Sequence, residues 1–225
     1  MLTSSSVKAA AAGLALATAL LVAPSAGWAA KESFAYAPPE RAPKGQRSRF
    51  VNEAPDAVLQ TIWTSLEEQG FRIESVDPQQ RLVVARYSGD PRPFLDCGVV
   101  TLLVDGRPAE PPRTYGANKA EVRTGKWPKG RRYGLLRTLR LDARLVARVE
   151  PRGKGAKIYS DAIYVATKSI HRLRKGGKPD ELVNRETISF TSAGSGRFAK
   201  GTICVGNGRL ESVVFEPFRK SDAAP

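Results

Sequence analysis

Only two of the 225 residues are cysteine and only one is histidine. That scarcity excludes a Cys/His zinc cluster, and it leaves a Ser-His-Asp triad with His171 as its sole base. His171 stands beside Arg172 and near Arg174, neighbours that oppose an imidazolium. A Cys-x-x-Cys redox pair is missing. Gly194-Ser195-Gly196 does not complete Gly-x-Ser-x-Gly, and the stretch from Gly196 to Thr202 has Lys200 and Gly201 in the reverse of the phosphate-loop order. No oxygen-rich calcium loop is present, so the sequence calls for no metal and no cofactor. After residue 30 no apolar run approaches the ~20 residues that span a bilayer. Acids are scarce as well: 22 Asp and Glu face 36 Lys and Arg, a formal charge of +14.

What is present begins with an address. Lys8 precedes an uncharged run from Ala9 to Ala23, Pro24 and Ser25 break it, and Gly27-Trp28-Ala29 places small residues at −3 and −1 of a cut after Ala29. Residues 1–29 read as a signal peptide, with an uncleaved anchor as the alternative. Export implies a periplasmic or secreted protein, peripheral to the outer membrane. In an oxidising compartment Cys97 and Cys204 pair as a disulfide rather than staying as two buried thiols. Closing a loop of that length is worth roughly 4–5 kcal/mol in the chain-entropy model.

Residues 30–49 hold Pro38, Pro39, Pro43, Gly45 and five basic residues, the composition of a solvated linker. A single domain is expected over 50–219, with a tail at 220–225. Pro55 and Asp56 suit a helix start, Gly70 suits its end, and Val58, Leu59, Ile62, Trp63 and Leu66 share one apolar face. Trp63 is the expected core anchor. A hairpin follows, turning at Asp77-Pro78-Gln79-Gln80. Residues 138–150 alternate strictly, with Leu139, Leu141, Ala143, Leu145, Ala147 and Val149 on one side and Arg140, Asp142, Arg144, Val146, Arg148 and Glu150 on the other. Lys157 to Ile170 returns beside it. Glu186 to Ser192 is another strand, with Phe198 to Cys204 pairing back on it, and Leu210 to Phe218 fit a short closing helix. No second long helix separates the strands. The expected fold class is therefore α+β: an antiparallel β-sheet with an N-terminal amphipathic helix and a short C-terminal helix packed on one face.

Several segments resemble a known family. Phe50-Val51-Asn52-Glu53-Ala54-Pro55-Asp56, Ile62-Trp63, Leu66, Gly70-Phe71-Arg72-Ile73-Glu74-Ser75-Val76-Asp77-Pro78 and Leu82-Val83-Val84 resemble the domains of the outer-membrane assembly lipoprotein BamC. Phe94-Leu95-Asp96-Cys97-Gly98 and Gly201-Thr202-Ile203-Cys204 are similar to segments of small uncharacterised exported envelope proteins. The chain departs from BamC in having no lipidated N-terminal cysteine. The resemblance implies a non-enzymatic helix-on-sheet interaction domain at the cell envelope and transfers no catalytic residue.

Charge is segregated. Residues 53–74 hold five acids and one arginine. Residues 105–134 form a basic insertion rich in Gly and Pro, where Arg123, Lys126, Lys129, Arg131 and Arg132 interleave with Tyr115, Trp127 and Tyr133. With Arg140, Arg144 and Arg148 these residues make a candidate anion- or partner-binding surface; the alternative is a solvated basic face. The expected partner is an anionic envelope component (lipopolysaccharide, acidic phospholipid or glycan) or an acidic envelope protein, and export argues against nucleic acid. The rival function is a cell-wall or glycan hydrolase with a carboxylate pair among Asp90, Asp96 and Asp105.

Overall fold

The computed structural model describes residues 32–40, 47–108, 113–124, 134–174, 176–199 and 201–219. The expected signal peptide and tail lie outside them. In chain order the elements are β1 (Glu32–Ala37), β2 (Ser48–Val51), α1 (Pro55–Glu68), β3 (Arg72–Asp77), β4 (Leu82–Gly89), β5 (Leu95–Asp96), β6 (Val99–Val104), β7 (Arg107–Pro108), β8 (Thr114–Gly116), β9 (Glu121–Thr124), β10 (Gly134–Arg152), β11 (Gly155–Leu173), β12 (Pro179–Thr191), β13 (Ser195–Arg197), β14 (Ile203–Gly206), α2 (Arg209–Ser212) and a 3-10 helix (Val213–Phe218). The fold is mostly antiparallel β-sheet with few helices. Every strand pairing among the described residues is antiparallel.

The largest sheet runs β12-β11-β10-β4-β3, with β2 also on β11 and β9 also on β10. Its spine is the hairpin of β10 and β11, paired without interruption from Gly134↔Leu173 to Arg152↔Gly155. The alternation of 138–150 places Leu139, Leu141, Ala143, Leu145, Ala147 and Val149 in the core. Val58, Leu59, Ile62 and Leu66 of α1 belong to the same core, as do Leu210, Val214, Phe215 and Phe218. Pro55 opens α1, and Gly70, at φ +80, follows it. Trp63, the expected core anchor, is partly buried and packs against this core. At 3.6 residues per turn it falls about 40° beyond Leu59, on the margin of the buried arc. Its indole N–H is enclosed without a hydrogen-bond partner.

Three expectations need correction. The 30–49 stretch is not all linker: β1 pairs with β6, and Ser48 begins β2, which pairs with β11. Its prolines lie between the two strands, and Phe34 and Tyr36 alternate as a strand requires. The 105–134 insertion holds β7, β8 and β9, the last paired with the start of β10. There a short strand needs little intrinsic preference, because long β10 supplies the template. Finally, the Cys204 strand does not return on β12. β14 pairs with β13 and β5 in a separate small sheet.

The disulfide explains that last placement. Cys97 and Cys204 are bonded, their Cα atoms 4.0 Å apart and both side chains fully buried. Tyr36 of β1 reinforces the junction. Its hydroxyl accepts from the Ile203 N–H at 2.9 Å, with the Cys97 and Ile203 carbonyl oxygens within donating distance at 3.1 Å. Gly98, at φ +74, lets β1 close in, since a Cβ there would stand 2.1 Å from the Ala37 oxygen. Tyr36→Phe is expected to cost about 1–3 kcal/mol, because it strands polar groups that the hydroxyl satisfies. Urea unfolding should show a lower midpoint at unchanged m-value; an unchanged midpoint would show that Tyr36 is not a tie between the sheets.

Candidate anion-binding face

Directly paired residues on antiparallel strands share a face, so the registers map the outer surface of the large sheet row by row. The rows are Phe50–Lys157–Glu150, Tyr159–Arg148–Leu82, Asp161–Val146–Val84–Ser75, Thr191–Ile163–Arg144–Arg86–Arg72, Ser189–Val165–Asp142–Ser88 and Thr187–Thr167–Arg140. Phe50 and Ile163 are exposed apolar groups on this face, at 49% and 42%. Arg140, Arg144 and Arg148 point outward as the alternation predicts, roughly 13 Å apart in successive steps.

They are not bare charges. Arg140 donates to Ser88 Oγ at 2.6 Å, Ser88 donates to Asp142, and Arg140 Nε lies 3.8 Å from Asp142. Arg148 pairs with Glu150 at 3.0 Å and sits with Lys157 over the Tyr159 ring. Arg144 pairs with Glu74 at 3.1 Å. Glu74 occupies a register shift between Ile73 and Ser75, a bulge that re-aims its side chain. Its other oxygen meets Arg86 Nε at 2.9 Å, so one carboxylate serves two guanidinium groups. Arg72 is the cross-strand neighbour of Arg86 and has no ion pair among the described residues. Three arginines thus stand side by side on three strands with a single acid between them. Sequence reading missed Arg72, Arg86 and Glu74. The broken alternation at Arg72-Ile73-Glu74-Ser75 was the available sign.

Arg123 pairs with Glu121 at 2.7 Å and donates to the Gly177 carbonyl at 2.9 Å. Lys126, Trp127, Lys129, Arg131 and Arg132 lie outside the described residues. The acids of the rival reading have other work. Arg92 holds Asp90 below the usual carboxylate range, which disfavours a general acid. Asp96 accepts from the Gly98 N–H at 2.8 Å, and Asp105 sits in a turn at φ +51. His171 is half-buried on β11 between Leu136 and Leu182. Two surface clefts of about 320 and 420 Å³ contain one carboxylate each, Asp161 and Glu216. Among the described residues no group of three His, Cys, Asp or Glu is placed to hold a metal ion, and no helix is long and apolar enough to cross a membrane.

Two polar pairs, also missed, stand on the inner face, one buried and one with a buried lysine beside a half-buried acid. Tyr164 donates to the Glu211 carboxylate, 2.8 and 2.9 Å from its oxygens. Burial, then the Glu211 charge, raises the phenol far above its ordinary value and keeps it protonated. Gly206 makes room, since a Cβ would come within 2.7 Å of the Tyr164 ring. Lys168 pairs with Glu186 at 3.2 Å and lies 4.4 Å over the Phe198 ring. Glu186 also accepts from the Ala199 N–H at 3.0 Å and the Asn184 amide at 2.8 Å. Burial alone would raise its pKa; the Ala199, Lys168 and Asn184 donors outweigh it and hold the carboxyl below its usual value.

No protein-family model matches the chain, and no curated protein or solved structure matches it.

Tyr164→Phe is expected to cost about 3–5 kcal/mol, because it leaves a buried carboxylate without its donor. Glu211→Gln, which retains an acceptor, should cost distinctly less; equal losses in chemical unfolding would refute the pairing. Glu186 supplies stability above the ordinary glutamate value of about 4.3 and loses it as pH falls through its lowered folded value. Glu186→Gln should therefore flatten the acid limb of the melting temperature against pH. An acid limb identical to the parent's would contradict this.

Proposed function

We propose that the chain is an exported, non-enzymatic cell-envelope protein that binds an anionic envelope surface or partner through the open face of its large sheet. In this reading the helices close the opposite face, in the manner of the BamC-like domains that the 50–87 segment resembles, and residues 1–29 are removed on export. The disulfide fits an oxidising compartment. The observation that carries the reading is the Arg72–Arg86–Arg144 row, where three cations line up on a solvated surface beside one carboxylate that pairs with only two of them. Arg140, Arg148 and Lys157 extend the cationic surface around it. Phe50 and Ile163 add the apolar contact that a headgroup region accepts. Lys126, Trp127, Lys129, Arg131 and Arg132 provide a second basic element in the sequence, attached to the sheet through paired β9 and β10.

The test is co-sedimentation of the mature protein with vesicles containing acidic phospholipid or lipopolysaccharide. Retention is expected at low ionic strength and should fall steeply as salt shortens the Debye length from about 30 Å at 0.01 M to about 8 Å at 0.15 M. Arg140→Gln, Arg144→Gln and Arg148→Gln combined should weaken retention while leaving the melting temperature nearly unchanged, because exposed ion pairs contribute roughly 0–1 kcal/mol each. Neutralising Lys126, Lys129, Arg131 and Arg132 in a second variant measures the loop separately. Retention that ignores both salt and these substitutions would refute the proposal.

A further inference from the structure

We infer that the Arg72–Arg86–Arg144 row is a subsite for a phosphomonoester headgroup at a lipid surface. The inference rests on the reading that this face binds anions, and it assigns the chemistry of the group bound. Like charges directly opposite one another on adjacent strands destabilise a sheet. Here the opposition occurs twice in succession, Arg72 against Arg86 and Arg86 against Arg144. Glu74 relieves it incompletely. It contacts the Nε of Arg86 and the Nε of Arg144, one oxygen to each. The terminal Nη donors of both arginines make no hydrogen bond among the described residues, and the Arg72 guanidinium has neither a hydrogen-bond nor an ion-pair partner there. Half of each paired arginine stays exposed, 51% for Arg86 and 48% for Arg144.

Three guanidinium groups and one carboxylate leave two positive charges. A phosphomonoester carries about −1.5 to −2 at pH 7 and presents three acceptor oxygens, a match in both charge and geometry to the free Nη groups. A phosphodiester or a carboxylate, with one charge, leaves one cation uncompensated. The row is flat and open, so a free ion would gain contacts on one side only. A headgroup held in a surface gains more, because Arg140, Arg148 and Lys157 meet the neighbouring headgroups while Phe50 and Ile163 meet apolar material on the same face.

The test compares the mature protein with Arg86→Gln, Arg86→Lys, Glu74→Gln, and the pair Arg140→Gln and Arg148→Gln. Probes are vesicles of phosphatidic acid in phosphatidylcholine, vesicles of phosphatidylglycerol in phosphatidylcholine at equal total charge, and inorganic phosphate. Readouts are co-sedimentation and the Nε–Hε signals of the arginines. Phosphatidic acid is expected to hold the parent at least fivefold more tightly than phosphatidylglycerol. Arg86→Gln should remove that preference, and Arg86→Lys should restore it only in part, since a lysine lacks the fork. Glu74→Gln should tighten binding roughly tenfold or more, the effect of deleting one carboxylate about 4 Å from a bound charge of about −1.5 to −2 in a water-like dielectric. The Arg140 and Arg148 pair should weaken both vesicle types alike. Equal binding of the two lipids, or no gain in Glu74→Gln, overturns the subsite while leaving the anion-binding face intact. Signal shifts as large with inorganic phosphate as with phosphatidic acid at equal phosphate overturn the lipid surface as its source. No retention on either vesicle at low salt overturns the subsite and the proposed function together.

Discussion

The pairing of β10 with β11 sets the terms for the rest of the molecule. Nineteen residues face nineteen without a slip, so burying one side chain commits the next to solvent for the whole length. Leu139, Leu141, Ala143, Leu145, Ala147 and Val149 cannot enter the core unless Arg140, Asp142, Arg144, Val146, Arg148 and Glu150 stand outside. The cationic outer face is thus the complement of the core, and a shift of one residue would exchange the two. That coupling makes the register stiff, and it holds the outer arginines at fixed positions relative to β4 and β3.

A long sheet needs its ends closed. Closure here depends on contacts far apart in sequence. The Cys97–Cys204 bond joins β5 and β14 regions separated by 107 residues, and Tyr36 of β1 binds the backbone on both sides of it. Inside, Tyr164 and Lys168 project from β11 toward positions where α2 and β12 must each supply an acceptor. Glu211 and Glu186 are those acceptors. Tyr164 and Glu211 are both buried, and Lys168 is buried beside a half-buried Glu186, so removing either acid leaves a buried donor without its partner. These pairs tie α2 and the 198–199 segment to the sheet with a directionality that apolar packing lacks.

Short-range features were legible in the sequence and long-range ones were not. The α1 helix follows from Pro55, Gly70 and a stripe of apolar residues within fourteen positions. β10 follows from its alternation, and the disulfide from the presence of only two cysteines. Trp63 fits the same helical stripe, yet a pattern of apolar residues does not locate the edge of the buried arc. β1 and β9 are strands because of their partners, β6 and β10, so composition alone reads them as linker and insertion. The paired arginines of the outer face were half legible. Their direction follows from period two, but which acid meets which arginine depends on β3 and β4 reaching β10 from more than fifty residues away. Glu74 belongs, by composition, to an acidic stretch around α1. Only the bulge in β3 carries it to Arg86 and Arg144.

The way charge is compensated differs along the face, and the difference follows from elementary spacing. On a strand, residues two apart share a side. Arg140 has Asp142 two residues on, Arg148 has Glu150, and Arg123 has Glu121 two before; each of these arginines is matched within its own strand. Arg86 has Val84 and Ser88 at those positions. Arg144 has Val146 on one side and, on the other, Asp142, which is already engaged by Arg140 and Ser88. Arg72 lies two before Glu74, but the bulge turns that acid away toward Arg86 and Arg144. This row gathers three cations and one acid where three strands bring them together, and the like-charge repulsion of such a row would fall if an anion of matching charge arrived.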